Sequence, residues 1–481
     1  VLPSIETGKG NTMNMMARER AVVLGGGMAG NLAARVLSES FSDVVVVDRD
    51  DLIGVRESRR GTPHSHHAHG LHSRGLLIVE ELFPGLTEEV LAAGSLASDI
   101  GRIRWHFNGR PIAPTDVGLV MLAPSRPVLE YHVRGRVAAL PNVRYLERHD
   151  ILRPLTTPGR DRVTGALVRR QSDGKEIELH ADLVIDATGR GSRTPAWLDD
   201  LGYERPAEDR IKIGLTYTTR HYKVDPKWFE GAQSIVFIAS PAHPRGAFFG
   251  QLGGGVCVLS LTGILGDVPP TDPAGFLEFA RTLPSPVIYQ AISESEPLEN
   301  AVSFRFPASV RRRYEGLSRF PDGLLVLGDA AASFNPLYGQ GMTVTAIEAM
   351  ALRKMLRKSK TGHVDPKKFL KVVAKVVRTP WDMNAGGDLA FPDVPGERTA
   401  RVRFANAYMA RLQYAVSKDP KVTKAFMRVA GMIDRPESLF KPTLAARVLR
   451  LSPGMPEPGP SWLDGEPPAS STGGTELPKA A

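Results

Sequence analysis

Two short stretches carry residue types that could do chemistry. In AVVLGGGMAG the spacing Gly25-x-Gly27-x-x-Gly30 follows an apolar run. The first glycine permits a tight turn after a strand, the second lets a diphosphate approach the backbone, and the third lets the next helix pack closely with its N-terminus facing the anion. Asp48 closes the following apolar run, VVVV, where a carboxylate can bind ribose hydroxyls. In PHSHHAHGLH, the residues His64, His66, His67, His69 and His72 crowd into nine positions of a chain with 12 histidines. That density raises the question of a metal, but zinc or iron wants three or four ligands on facing elements, often with a carboxylate or thiolate. The nearest acids are Glu57 and Glu80, and Cys257 is the only cysteine. A loop beside a bound ligand is the better expectation, with no functional metal.

A third stretch, GLLVLGDAAASFNPLYGQGM, brings Asp329 to the end of a buried strand, and Pro336, Gly339 and Gly341 precede a new helix at Met342. A carboxylate there suits a polyol, and a glycine-flanked helix start suits partial negative charge. To position these groups the chain needs buried strands feeding turns. Arg20 to Asp48 reads strand, glycine turn, helix, strand, and LHADLVIDATGRGSR and DGLLVLGDAAASFNP repeat that grammar. The fold class is therefore α/β, one Rossmann-like, doubly wound sheet assembled from separated segments. In the middle, IKIGLTYTTRHYKV, SIVFIAS and GAFFGQLGGGVCVLSLTGI are rich in β-branched and aromatic residues, as in an inserted antiparallel sheet domain. From Asp365 to Leu451 the apolar spacing turns helical, and after Ser452 a Pro/Gly/Ser-rich tail is expected to be disordered.

Composition narrows the class further. The net charge of +9 is matched by the stretch from Ala351 to Trp381 alone, which holds ten Lys/Arg against Asp365. No aromatics are interleaved there for base stacking, so a solvated helical face is expected rather than nucleic-acid binding. A single cysteine fits a reducing cytoplasm, and no apolar run approaches the roughly 20 residues of a membrane span. A peripheral membrane contact of the basic face stays open. The N-terminal residues, which do not begin with Met, are set aside as a flexible segment.

The first glycine motif with the late GD segment some 300 residues on resembles the FAD-dependent monooxygenases of the aromatic-hydroxylase superfamily. Within it, RRGTPHSHHAHGL, DLVIDATGRGSR and GDAAASFNPLYGQGM are most similar to bacterial squalene-epoxidase-like epoxidases of polyether pathways. The resemblance implies an FAD-binding domain over 19–75, 120–200 and 300–360. It implies a substrate-side sheet domain over 76–119 and 201–299, a helical region over 361–451, and terminal segments 1–18 and 452–481 outside the fold. It implies Gly25, Gly27, Gly30 and Asp48 at the ADP half of FAD, Asp329 at the ribityl chain, and Pro336, Gly339 and Gly341 at the flavin ring edge. Arg126, and Arg59 or Arg60, would lie along the FAD, with His67 and His69 in a flavin-side loop. His64 and His66 stand where these relatives place Gln and Arg, and with Phe237, Phe248 and Phe249 they are expected at the substrate pocket.

The implied reaction inserts one oxygen atom from O₂, through a flavin hydroperoxide, into a small apolar alkene, polyketide or prenyl substrate, by epoxidation or hydroxylation. No catalytic side chain is assigned, because the cofactor carries the chemistry. NADPH or NADH would supply electrons directly or through a flavin reductase. The reductase route gains weight because Thr188-Gly189 replaces the Asp-Gly pair of the hydroxylases. An FAD-dependent dehydrogenase without oxygen insertion and a non-enzymatic FAD-binding partner protein are the alternatives. The five tryptophans are never two apart, as a flavin halogenase requires, and none follows a Tyr by two residues, as in prenyl reductases.

Overall fold

The computed structural model describes residues 18–122, 125–359 and 363–456, so the expectations placed on 1–17 and 457–481 lie outside the described residues. Five parallel strands form the central sheet, in the order Leu324–Val326, Leu183–Asp186, Arg18–Leu24, Phe41–Val47, Val143–Leu146. These strands are apolar on both sides because both sides are covered. Ala21, Val23, Val44 and Val46 pack beneath α1 (Met28–Leu37), α2 (Ser73–Leu82), α3 (Leu86–Ala92) and α4 (Arg126–Ala138). On the other face, Val22, Leu24, Val45 and Val47 meet a three-stranded antiparallel sheet (His149–Thr156, Val163–Arg170, Glu176–His180) and Trp197 of α5 (Thr194–Asp200).

The second sheet contains Leu215–Lys223, Val256–Gly263, Gly246–Gly253, Ser234–Ile238 and Arg104–Phe107 side by side, with Val302–Phe306 on the outer edge of Leu215–Lys223. Period-two alternation divides its faces. Phe237, Ala247, Phe249, Cys257, Leu259 and Leu261 pack against α6 (Pro273–Arg281) and α7 (Val287–Ser293). Val236, Phe248, Val258, Ser260 and Thr219 alternate with these and belong to the opposite face.

The segment boundaries differ from expectation. Residues 76–92 belong to the first core, because Ile78, Val79 and Leu82 of α2, Val90 of α3 and Phe83 between them are buried there; of the expected segment 76–119, Arg104–Phe107 and the short strand Arg110–Pro111 join the second sheet. Val302–Phe306, expected with the FAD-binding domain, pairs with the second sheet. The C-terminal helices also divide. After α8 (Gly341–Lys358), α9 (Pro366–Asp388) inserts Phe369, Leu370, Val373, Val377 and Trp381 into the first core. In contrast, α10 (Ala400–Val416), α11 (Pro420–Ala430) and α12 (Pro442–Leu451) pack Leu412, Val416, Val422, Met427 and Val448 with Ile103, Phe107 and Val236. The basic stretch is partly neutralised within the fold: Arg353 bridges Glu39 at 2.7 Å and Glu81 at 2.9 Å, and Arg357 reaches Glu39 at 3.0 Å. Lys354, Lys358, Lys371 and Lys375 are exposed.

A buried acid fixes the turn that ends Leu324–Val326. Gly328 has φ +62°, and a Cβ there would come within 3.0 Å of Ala29 Cβ. Its N–H donates to Glu348 Oε2 of α8 at 2.7 Å. Glu348 is fully buried and its other oxygen has no hydrogen-bond partner. Burial pushes its carboxyl up from 4.5 to about 8, with nearby Asp329 adding to the rise and the Gly328 amide opposing it. A raised folded-state value favours folding at low pH; that contribution begins to fall as pH passes the unfolded value and is lost as pH rises through about 8. Denaturant titrations at pH 5 and pH 8.5 are expected to show wild type losing at least about 1 kcal/mol more than Glu348→Gln. Glu348→Ala, which strands the Gly328 amide, should cost about 1–3 kcal/mol at pH 5. Equal pH slopes for wild type and Glu348→Gln would refute the assignment.

Candidate functional site

The parallel register brings the motif turns to one edge. Leu24 pairs level with Asp186 and with Val47, and Asp186 pairs level with Val326, so the segments beginning at Gly25, Ala187, Asp48 and Leu327 leave the sheet together at its carboxyl end. Gly25 turns with φ +100°, and a Cβ there would lie 2.6 Å from Ala187 O. A Cβ at Gly30 would lie 1.8 Å from Gly25 O, so α1 can approach the turn only through glycine. Gly27 faces open space and caps α1 without a side-chain hydrogen bond, which leaves the helix's first amides free for a ligand. Asp48 Oδ2 accepts the Gly26 amide at 2.7 Å and Oδ1 accepts the Asp50 amide at 3.0 Å. Asn31 is fully buried and donates to the carbonyls of Gly26 and Gly27, both at 2.9 Å. Sequence reasoning missed Asn31, although a polar residue inside the apolar stripe of a helix is a readable signal.

Beside this turn is a buried cationic network. Arg59 reaches Glu130 at 3.0 Å, Asp50 at 3.2 Å and Asp48 at 3.8 Å, and Arg126 reaches Glu130 at 2.7 Å. Arg60, the other of the expected pair, is exposed. Burial alone would raise the Glu130 carboxyl, but the guanidiniums of Arg126 and Arg59 overcome it and hold the group at about 2. Arg134 donates to Val55 O at 2.5 Å, while its Nη1, 3.9 Å from Glu130, makes no hydrogen bond. Three guanidiniums thus surround one buried glutamate. Glu130 and Arg134 were not anticipated; they lie one and two helical turns beyond Arg126 on the same face of α4.

The middle turn is held by Asp186, fully buried, which accepts from the Thr188 amide and from the hydroxyls of Thr188, Ser192 and Thr194 at 2.5–2.9 Å. Asp329, on the turn after Leu324–Val326, is pushed up by burial against the pull of Arg190, Arg126 and Arg312. Arg190 lies over the Phe306 ring at 4.1 Å. Pro336 opens the short turn Pro336–Tyr338, Gly339 takes φ +63°, and Gly341 begins α8, whose N-cap Gln340 makes no side-chain cap hydrogen bond. A Cβ at Gly341 would sit 4.0 Å from Asp329 Oδ1, so the uncapped start of α8 adjoins that carboxylate.

The histidine loop crosses to the second sheet. His67 Nδ1 meets Thr219 Oγ1 at 2.7 Å, Thr219 meets Ser260 Oγ at 2.5 Å, and Ser260 accepts the Ala68 amide at 3.2 Å. The His67 ring meets Tyr217 edge-on at 4.4 Å, and its Nε2 is buried without a hydrogen-bond partner. His69 Nδ1 donates to the His67 carbonyl at 2.8 Å. Burial lowers His64 to about 4 and His67 and His69 to about 3, with the Arg126 charge adding to the effect on His64 and His69. All three imidazoles are therefore neutral at physiological pH. Among the described residues, no group of three or more His, Cys, Asp or Glu is placed to hold a metal.

A cavity of about 190 Å³ opens between this loop and the sheet, lined by Arg56, Ser58, His66, His67, His69, His221, Phe248, Gln251, Leu252 and Val258 among others. Phe248 was expected there. Phe237 and Phe249 correct the expectation: they project from the opposite face of the sheet and are buried in the core against α6 and α7. His64 is absent from the lining and packs near His69 and Phe304, at ring separations of 5.7 and 6.2 Å.

FAD fits this set of residues. An uncapped helix start over open space at Gly27 and a buried guanidinium nitrogen without a hydrogen bond at Arg134 suit an anionic diphosphate, and Asp329 beside the uncapped α8 suits a polyol and the electron-rich edge of a ring. Residues 18–383 match the family model described as FAD binding domain. Protein Rv3254 of Mycobacterium tuberculosis is 33% identical over 431 residues, covering 87% of this chain and 90% of that protein. Digeranylgeranylglycerophospholipid reductase 2 of Methanopyrus kandleri is 26% identical over 68% of this chain and 74% of its own length. Squalene monooxygenase of Mus musculus is 24% identical over 70% of this chain, which spans 54% of that relative. Among solved structures, p-nitrophenol 4-monooxygenase PnpA from Pseudomonas putida shares the fold, with a TM-score of 0.59 at 17% identity over 88% of this chain and 100% of that one. The match across residues 18–383, laid over this geometry, places the chain in the FAD binding domain family of flavoproteins.

Proposed function

We propose that the protein is an FAD-dependent monooxygenase that transfers one oxygen atom from O₂ to a small organic substrate and releases the other as water. The observation that carries this reading is the gathering of the strand-end turns at one edge of the first sheet, with the histidine loop enclosing a cavity against the second sheet. Bound FAD, once reduced, supplies the activation of O₂. The protein's own residues bind, orient and exclude water. Gly27, Arg134 and Asp48 take the adenosine diphosphate half, Asp329 takes the ribityl hydroxyls, and Pro336, Gly339 and Gly341 border the ring.

Phe248, Leu252 and Val258 give the cavity an apolar wall, while Gln251, His67 and His221 give it a hydrogen-bonding edge. That mixture favours an apolar alkene or electron-rich ring carrying an oxygen substituent, as in a polyketide, over a bare hydrocarbon. NADPH or NADH balances the reaction with one electron pair. Delivery through a separate flavin reductase is favoured, because Thr188 stands where the hydroxylases carry the Asp of their Asp-Gly pair and turns its hydroxyl inward to Asp186 at 2.6 Å. A second reading, dehydrogenation or reduction without oxygen insertion, is supported by the likeness to the Methanopyrus reductase.

Gly27→Asp tests the cofactor site. An Asp N-cap should leave the cofactor-free protein as stable as wild type, or up to about 1 kcal/mol more stable, yet weaken FAD binding at least about 100-fold by confronting a diphosphate with a carboxylate. Unchanged FAD affinity, measured by fluorescence titration, would refute the placement. The reaction class is tested by turnover under ¹⁸O₂ with NADPH, a flavin reductase and a panel of terpenoid and polyketide alkenes. One labelled oxygen per product is expected; oxidised or reduced product lacking label would move the protein to the second reading.

A further inference from the structure

The loop Asn335–Gly341 is gripped from outside by residues that neither motif contains. Asp388, in the last turn of α9 and 1% exposed, accepts from Asn335 Nδ2 at 2.8 Å and from the Tyr338 hydroxyl at 3.2 Å, both on Oδ1. One turn earlier, Asn384 donates to Gln340 Oε1 at 2.9 Å. The Asn335 side chain in turn accepts the Leu337 amide at 3.0 Å, and from the other side His72 Nε2 donates to the Tyr338 carbonyl at 2.9 Å. The fit is close: a Cβ at Gly387 would sit 2.1 Å from the Tyr338 hydroxyl, so α9 can lie against the tyrosine only through glycine. Asn335, Gln340, Asn384 and Asp388 are all buried; Asp388 Oδ2 and Asn384 Oδ1 have no hydrogen-bond partner, so the hold on the loop rests on Asp388 Oδ1 and Asn384 Nδ2, whose loss would strand further buried donors and acceptors. The loop's own backbone does little to fix it. It contains one short turn and a left-handed glycine, and α8 starts without a side-chain cap.

We propose that Asp388 is a positioning residue for the flavin, setting the edge of the ring site by holding Asn335 and Tyr338 from α9. It acts through the loop and touches no reacting atom. The proposal rests on the reading of Pro336–Gly341 as the flavin border, and it assigns to α9 a part in tuning the cofactor. A carboxyl that only stabilised the fold would alter melting and leave the bound cofactor unaffected. A positioning carboxyl alters what the flavin experiences.

The test compares wild type with Asp388→Leu, Asp388→Asn and Tyr338→Phe, each checked for folding by circular dichroism. Three quantities are read: FAD affinity, the visible absorption of bound FAD, and its midpoint potential by dye equilibration. Asp388→Leu is expected to raise the FAD dissociation constant at least about tenfold and to shift both absorption and potential. Asp388→Asn, which keeps an oxygen for both donors, should recover affinity to within about threefold of wild type. Tyr338→Phe, which removes one donor at the surface of the network, should shift absorption and potential in the same direction as Asp388→Leu, and it decides the matter if the leucine variant does not fold. Lowered melting with all three flavin readouts at wild-type values would overturn the proposal. Wild-type protein that takes up no FAD would instead sink the flavin reading itself.

Discussion

Leu24 pairs with Asp186 and Val47, and Asp186 with Val326, so the chain returns to the same edge of one sheet at residues 24, 47, 186 and 326. Parallel pairing makes this possible, since every strand presents its carboxyl end, and its free turn, on the same side. A one-residue slip in any of these ladders would invert the strand's side chains and move its turn along the edge. The register is protected by burial on both faces: Val22 and Val45 face the antiparallel layer while Ala21, Val23, Val44 and Val46 face the helices. Gly25, Asp329 and the Thr188 turn are therefore held relative to each other by the core, and Gly25 also packs closely against the Ala187–Thr188 backbone.

At this edge three buried guanidiniums meet three carboxylates. Arg59, Arg126 and Arg134 are all buried around Glu130, and Arg59 alone is also shared with Asp48 and Asp50. Removing a guanidinium from water costs several kcal/mol unless a counter-charge and hydrogen bonds meet it. Glu130 meets much of that cost, as its depressed carboxyl shows, but Arg134 retains a nitrogen without a hydrogen bond. A diphosphate laid over the open N-terminus of α1 would add negative charge beside this network, which Asp48 joins to the turn through the Gly26 amide. Cofactor binding is on this account also a stabilisation of the folded chain.

Much of this was legible in the sequence, because the features that specify it are local. Apolar runs closed by glycine or aspartate reveal buried strands and their turns, and Gly25, Gly30 and Gly339 mark places where backbone sterics admit little else. The histidine stretch was readable as a loop between the second strand of the first sheet and the helix that follows it. What escaped were the residues whose meaning is set by distant partners. Asn31, Glu130, Arg134 and Glu348 read as ordinary helical residues until packing brings them under a turn. The alternation in GAFFGQ shows that Phe248 and Phe249 lie on opposite faces, but not which face the flavin side takes. The boundary at residue 76 failed for a similar reason: α2 is amphipathic whichever core receives it, and contact with Thr343 through Gly75 determines the answer.

The two sheets could in principle move against each other, and the site lies between them. Three features resist that motion. The histidine loop is tied to the second sheet through His67, Thr219 and Ser260, and desolvation keeps the His67 imidazole neutral, so the tie carries no charge that a pH change near neutrality would switch. The strand Val302–Phe306 runs from the second sheet toward the third turn, and Phe306 places its ring under Arg190 beside Asp329. Finally, α9 packs its first turns into the first core, and the residues that follow it, Leu389 and Phe391, enter the cluster around Leu215 and Tyr217 of the second sheet. Asp388 sits at the junction of those two packing regimes. A helix anchored in one core and continued into another is well placed to hold the loop between them, which is why the C-terminal region, the least diagnostic part of the sequence, contributes to the geometry of the site.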